Sequence, residues 1–286
     1  MENLTNITVI RDIFERHGFS FNKNLGQNFL VNPSVCPKIA EMGNAQQGWG
    51  ILEIGTGVGV LTHELAKRAE KVAAIEIDSR LIPVLEETLA EHDNVKIINE
   101  DVMKADLAKI ISENFAGLKV GVCANLPYYI TSPVIMLLLE SRLPIESITV
   151  MVQKEAGKRL CAEMGTRDAG AVTAAVRYYS EPKLLFNVSR GSFMPAPNVD
   201  SCVIRLDVKK ETELEISDEA FFFKVVRGAF SQRRKNICNS ISSALGLPKQ
   251  TVTEAVTAAG ISETARAEQL KMTEFATIAE KLQTKY

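Results

Sequence analysis

The chain has 286 residues, 46% of them hydrophobic and 24% charged, with a formal net charge of −2, a composition that calls for a folded globular protein and excludes a low-complexity or disordered one. No apolar run approaches a membrane span, and the acid-bearing start MENLTNITVIRDIFERHGF is not a signal peptide, so a cytoplasmic protein without membrane contact is expected. Cys36, Cys123, Cys161, Cys202 and Cys238 are odd in number, scattered and never in a C-x-x-C pair, and His17, His63 and His92 share no ligand spacing. No metal is expected, and each histidine reads as a surface or helix residue.

Ile10, Ile13, Phe14 and His17 at helical spacing, followed by Gly18, predict a short amino-terminal helix. FNKNLGQNFLVNPSV, dense in Asn and Gly, predicts a loop into a second helix near 33–42. From residue 50 the pattern becomes GILEIG, a helix over about 60–68, KVAAIEID, a helix over 80–91, VKIINED, another helical stretch, and KVGVCANLPYY. This alternation implies an α/β fold with a parallel, doubly wound, Rossmann-like sheet. SITVMVQ, EPKLLFNV and SCVIRLDV predict further strands.

After ETELEISDE the pattern is helical, in DEAFFFKVVRGAFSQ, KNICNSISSAL, PKQTVTEAVTAAG and MTEFATIAEKLQ, with stops at Gly246 and Gly260. A boundary near residue 211 follows, giving a catalytic domain over 1–210 and a small all-helical domain over 211–286. The helical domain opens with five basic residues between Ala220 and Ser240, namely Lys224, Arg227, Arg233, Arg234 and Lys235, and no acid. A basic cluster alone describes a solvated helix face as well as a nucleic-acid surface.

Ligands of open parallel sheets bind beyond the carboxyl ends of the strands. There the chain offers the turn EIGTGVGVLT with Gly55, Gly57 and Gly59, then Glu76, Asp101 and Asn125, each about one βα unit further on. Val60 stands where the dinucleotide fingerprint has its third glycine. A carboxylate such as Glu76 suits a ribose diol, and Asp101 is placed to accept from an adenine amino group, so an adenosine cofactor is expected. Asp78 reads as a helix cap. NLPYY favours S-adenosylmethionine over NAD: Pro127 biases Leu126 to an extended backbone, so its carbonyl and the Asn125 amide oxygen converge as two acceptors for one exocyclic amine, with Tyr128 available to stack. Tyr129 fits a core aromatic, and Phe193 beside the prolines of FMPAP does not. Cys123, on the strand, is expected in the core and not as a nucleophile.

NLPY resembles the motif of amino-group methyltransferases in the form typical of ribosomal RNA adenine dimethyltransferases. NLGQNFL, LEIGTGVGVLT, AIEID, EDVMKAD, FMPAPNVDSCVIRL, AFSQRRKNI and RAEQL are similar to the same family, and RRKNI with NLPYY resembles its small-subunit branch. The resemblance implies that Asn28, Leu30, Gly55, Glu76, Asp101 and Asn125 contact S-adenosylmethionine, with the amino-terminal helix and loop over the cofactor. It implies that Asn125, Leu126, Pro127, Tyr128 and Phe193 hold the target adenine. The expected activity is N6,N6-dimethylation of two adjacent adenosines in the 3′-terminal hairpin loop of 16S rRNA, within the 30S subunit or its late precursor, with a role in 30S biogenesis. On this reading the basic segment holds RNA, and the protein is a monomer. Two competing readings are a large-subunit enzyme conferring macrolide resistance and an RNA-binding assembly factor that keeps the fold without needing catalysis.

Overall fold

The structure is a computed structural model that describes residues 4–19 and 28–284. Of the loop expected over FNKNLGQNFLVNPSV, residues 21–27 lie outside the described residues. The chain forms two compact units, one made of the residues up to Gly157 with Glu181–Val208, the other of Lys158–Ser180 with the chain from Lys209 onward.

In the first unit the elements run α1 (Ile7–Arg16), β1 (Phe29–Leu30), α2 (Val35–Met42), β2 (Trp49–Ile54), α3 (Val60–Ala66), β3 (Lys71–Glu76), α4 (Ile82–Thr88), β4 (Val95–Asn99), α5 (Leu107–Asn114), β5 (Lys119–Asn125), α6 (Tyr128–Glu140) and β6 (Ser147–Gln153). After α7 (Lys154–Leu160) and α8 (Ala171–Tyr179) come β7 (Ser180–Val188), β8 (Phe193–Met194) and β9 (Ser201–Val208). Strands fall where continuous apolar runs require burial on both faces: every residue of β2 is buried, as are all but the first of β3. Helices start at side-chain caps, with Asn6 accepting from Thr8 N–H and Asp106 from Lys109 N–H. The helix expected over 80–91 is a 3₁₀ turn, Ser79–Leu81, capped by Asp78 and continued by α4.

The main sheet has strand order β4-β3-β2-β5-β6-β9-β7. The pairs from β4 through β6 are parallel, and β9 lies antiparallel beside β6, with Val150 opposite Ile204. The expected doubly wound sheet is therefore present as a mixed sheet. Because β3 and β4 lie to one side of β2 and β5 to the other, the strand order reverses between β2 and β5, and a crevice opens there beyond their carboxyl ends. α1 buries Ile10, Ile13 and Phe14 against Phe29, Val58, Leu81 and Val84, which holds it beside the turn that leaves β2. β1 and β8 form a separate antiparallel pair, with Leu30 opposite Phe193.

The second unit contains α8 with α9 (Glu219–Phe230), α10 (Ile237–Leu245), α11 (Lys249–Ala258) and α12 (Met272–Gln283). Gly246 stops α10 in the left-handed conformation at φ 70°, which a side chain resists. A single cut near residue 211 is too simple, since Lys158–Ser180 clusters with the carboxyl-terminal helices. The cause is aromatic packing: Tyr178 meets Phe223 edge to face at 5.2 Å, Tyr179 stacks on the same ring at 5.6 Å, and Tyr178 Oη donates to Glu219 Oε2 at 3.1 Å. Phe222 adds a fourth ring, 5.9 Å from Tyr178, and burying these rings together outweighs the closeness in sequence of α8 to the sheet.

Candidate active site

β2 ends in a turn where Gly55, Gly57 and Gly59 have φ of 79°, 58° and 87°. A Cβ on Gly57 would stand 3.3 Å from the Phe29 ring, and one on Gly55 would stand 3.4 Å from Leu126. All three φ values lie in the left-handed region that favours glycine, and a Cβ on Gly57 would also crowd the Phe29 ring. Glu76, at the end of β3, is buried and ties this turn down: its Oε2 accepts from Thr56 Oγ1 and Gly57 N–H, both at 3.0 Å, and its Oε1 accepts from Asp78 N–H at 2.9 Å. Burial raises the Glu76 carboxyl above its ordinary value, and these hydrogen bonds oppose the shift.

Asp101 lies just beyond β4 and not at its last residue. Glu100 N–H still donates to Glu76 O at 3.1 Å, and Asp101 then turns the chain by accepting from Met103 N–H at 3.0 Å. Asn125 is the last residue of β5, and Pro127, with φ −54° and ψ 135°, caps α6. Among the described residues neither Asn125 Oδ1 nor the Leu126 carbonyl accepts a hydrogen bond. The Tyr128 hydroxyl shares a 2.7 Å hydrogen bond with Ser201 Oγ, which fixes the ring.

One cavity of about 330 Å³ is lined, among others, by Asn28, Leu30, Gly55, Glu76, Asp101 and Asn125, the expected cofactor contacts, and by Leu126, Pro127, Tyr128 and Phe193, the expected contacts of the target base. The glycine turn, the carboxylate beside it and the two acceptors of Asn125–Leu126 meet in this one volume, which suits an adenosine-bearing cofactor next to an amine. A profile of the family described as ribosomal RNA adenine dimethylase matches residues 18–284. The chain belongs to the ribosomal RNA adenine dimethylase family. It is a methyltransferase of that family, 47% identical over 277 residues to the ribosomal RNA small subunit methyltransferase A of Geobacillus sp. (strain WCH70), with 96% of this chain and 95% of the relative covered. It resembles the solved dimethyladenosine transferase from Plasmodium falciparum, with 25% identity, a TM-score of 0.72, and 90% of this chain and 98% of that chain covered. It also resembles the 23S rRNA methyltransferase ErmE, with 28% identity, a TM-score of 0.68, and 90% of this chain and all of that chain covered.

Among the ring residues of this dimethylase, two expectations are reversed. Tyr129 is 63% exposed, because α6 turns it away from the sheet, while Phe193 is buried in the core with Leu30 and Val203 and lines the cavity from there. The β1–β8 pair places it so. Cys123 is buried as expected, its Sγ 3.9 Å from Gly43 O, and burial pushes its thiol up, away from the nucleophilic thiolate. Lys224 and Arg227 lie on α9 and Arg233, Arg234 and Lys235 in the turn after it, all exposed and none lining the cavity. Arg233 donates to Arg167 O at 3.4 Å, so the segment before α8 adds a basic residue that the sequence reading left out.

Glu53, the penultimate residue of β2, is the functional candidate that sequence reasoning missed. It is fully buried, lines the cavity, and neither carboxylate oxygen has a hydrogen-bond partner among the described residues. Burial pushes its carboxyl up to about 8; the nearby Thr62 hydroxyl opposes the shift and the charge of Glu76 adds to it. The signal was available: an acid inside the apolar run GILEIG has no place in a buried strand unless it faces a ligand. The histidines are also not isolated, for His63 and His92 are hydrogen-bonded at 2.7 Å, and His17 pairs with Glu87 at 2.5 Å. Residues 29 positions apart share no sequence spacing, and only the approach of α3 to the segment after α4 joins them.

Proposed function

We infer that the protein dimethylates, with S-adenosylmethionine, the N6 amino groups of two adjacent adenosines in the 3′-terminal hairpin loop of 16S rRNA. The substrate is the 30S subunit or its late precursor, met in the cytoplasm by a monomer. Among the described residues no helix is long and apolar enough to cross a membrane. The observation that carries the reading is the pair of unused acceptors, Asn125 Oδ1 and the Leu126 carbonyl, beside the glycine turn and Glu76 in one cavity.

The orphaned carboxylate of Glu53 and the side-chain-free turn suit the cofactor, whose amino acid end carries an ammonium and whose sulfonium supplies the electrophilic methyl. Glu76 would hold the ribose hydroxyls, Asp101 the adenine, and Glu53 the ammonium, while Asn28 and Leu30 close the cavity from the β1 side. The target base must leave its stack to arrive here. Tyr128 and Phe193 would offset that cost by stacking, at about 1–3 kcal/mol per base. The N6 lone pair of adenine is delocalised into its ring. Two hydrogen bonds from N6–H to Asn125 and Leu126 favour a more tetrahedral nitrogen and aim its lone pair at the methyl group. No general base is needed beforehand, because the methylated, cationic amine is acidic and loses its proton to water or a nearby acceptor. The second round repeats the step on the remaining N6–H.

Incubating the protein and S-adenosylmethionine with unmodified small subunits, and separately with protein-free large-subunit RNA, tests the reading by mass spectrometry of N6,N6-dimethyladenosine. Product from small subunits alone is expected, consistent with 47% identity to a small-subunit enzyme against 28% to the 23S enzyme. Product from large-subunit RNA alone would transfer the assignment to the resistance activity, and none from either would favour a binding factor. The exposed cluster Lys224, Arg227, Arg233, Arg234 and Lys235 would hold RNA phosphates without reading sequence. Arg233→Ala with Arg234→Ala is expected to weaken binding to small subunits and to flatten its salt dependence by up to about 2 in log–log slope, with cofactor affinity unchanged. An identical slope for parent and variant in a salt series would refute that role.

A further inference from the structure

Away from the cavity, His63 on α3 and Glu91 with His92, just after α4, bring three potential ligands together. His63 Nδ1 lies 2.7 Å from His92 Nε2, and Glu91 Oε1 lies 3.6 Å from the first nitrogen and 3.4 Å from the second. A triangle with sides of 2.7, 3.4 and 3.6 Å has a circumradius of about 1.9 Å. An ion slightly out of its plane is therefore about 2.0–2.1 Å from all three atoms, the distance zinc takes to imidazole nitrogen and carboxylate oxygen. The two longer sides also match the roughly 3.3–3.5 Å edge of a tetrahedron built from such bonds. Nothing in the methyl-transfer chemistry uses these residues.

We propose that His63, Glu91 and His92 form a binding site for a divalent transition-metal ion of the zinc class, with the remaining coordination position open to water. The donor set, two imidazoles and a carboxylate, suits zinc and its borderline neighbours and is poor for magnesium or calcium, which take oxygen ligands. Both rings are almost enclosed, with side chains 11% exposed, whereas Glu91 is 48% exposed and opens the site to solvent. In the metal-free protein one ring N–H bridges the two nitrogens. On binding, that proton moves to the outer nitrogen of its own ring, both imidazoles stay neutral, and the two facing lone pairs go to the ion.

The site would join α3 to the chain segment that already braces the glycine turn. Thr88 Oγ1 donates to Val58 O at 3.1 Å, and Leu89 lies 3.2 Å from where a Cβ on Gly59 would be. An ion here clamps the two elements that leave and support that turn.

The test uses metal-stripped full-length protein without a polyhistidine tag, titrated with Zn²⁺ by calorimetry and with Co²⁺ by absorption, beside Glu91→Gln and His92→Gln. One saturable ion per chain is expected, with a Tm raised by several degrees. Bound Co²⁺ should show the visible bands of a four-coordinate nitrogen and oxygen site, and each variant should bind at least roughly 10-fold more weakly. Glu91→Gln is the safer variant for folding because its side chain is half exposed. Absence of saturable binding, unchanged affinity in both variants, or a thiolate-to-cobalt charge-transfer band, which would assign the ion to the cysteines, overturns the proposal.

Discussion

Asn125→Ala is expected to lower the rate of methyl transfer by about 100- to 1000-fold, the range typical for removing one preorganised hydrogen-bonding group from a reacting centre. The side chain stands at the end of β5 with its amide oxygen unclaimed by any described residue, so its truncation removes an acceptor and leaves the packing intact. Leu126 offers its carbonyl in either protein, which is why some transfer should persist. Cofactor affinity should change only a few-fold, since the glycine turn, Glu76 and Glu53 remain. Single-turnover transfer of labelled methyl groups to unmodified small subunits, with cofactor binding measured in parallel, separates the two effects. Asn125→Asp, which retains an acceptor oxygen, should keep more activity than the alanine variant. Transfer by the alanine variant within a few-fold of the parent would remove Asn125 from the mechanism.

The second large effect concerns Glu53. Its carboxyl sits at about 8 in the fold against an ordinary 4.5. Between those pH values the folded chain keeps a proton that the unfolded chain has released. Stability conferred by the protonated form is thus complete below about 4.5 and is lost as pH rises toward about 8, with a slope approaching about 1.4 kcal/mol per pH unit. Glu53→Gln cannot ionise and should lack that slope, so without cofactor it should be the more stable protein at pH 8, by several kcal/mol, and close to the parent near pH 4. The same variant should bind S-adenosylmethionine more weakly, because a neutral amide cannot pair with the ammonium as a carboxylate does. Below pH 8 the parent should also release a proton when cofactor binds, seen as a buffer-dependent heat in calorimetry, and the variant should not. Urea titrations at several pH values supply the stability curves. Parallel curves for parent and variant, with equal cofactor affinity, would leave Glu53 as a buried acid without function.

The residues that mark the chemistry were legible because they sit where one local rule is broken. Asn125 ends a buried strand, with Pro127 and Tyr128 just after it, Glu76 ends another, and Gly55 and Gly57 hold a turn that positive φ demands. Glu53 breaks a rule just as plainly, as an acid one residue short of the end of β2 and wholly buried among apolar neighbours. Leu30 and Phe193 show a different limit. Each could be named from a motif, yet that they face each other across β1 and β8 depends on a pairing more than 160 residues apart.

By itself the sequence determined the alternation of strands and helices as far as β5, the strands β6, β7 and β9, the four carboxyl-terminal helices, the glycine turn and the position of the NLPYY loop, since periodicity, caps and turn chemistry act over a few neighbouring residues. α6, α7 and α8 escaped, α6 because Pro133 lies within it, and a proline in an apolar run argues locally against a helix that tertiary burial nonetheless imposes. The tertiary structure alone decided that β9 runs antiparallel beside β6, that Lys158–Ser180 joins the helical unit, that Tyr129 is exposed and Phe193 buried, and that His63 meets His92. The physical reason is common to all four. Apolar pattern states that a face must be buried, but which partner buries it is settled by the packing of the whole chain, where distant surfaces compete and the best-fitting pair wins.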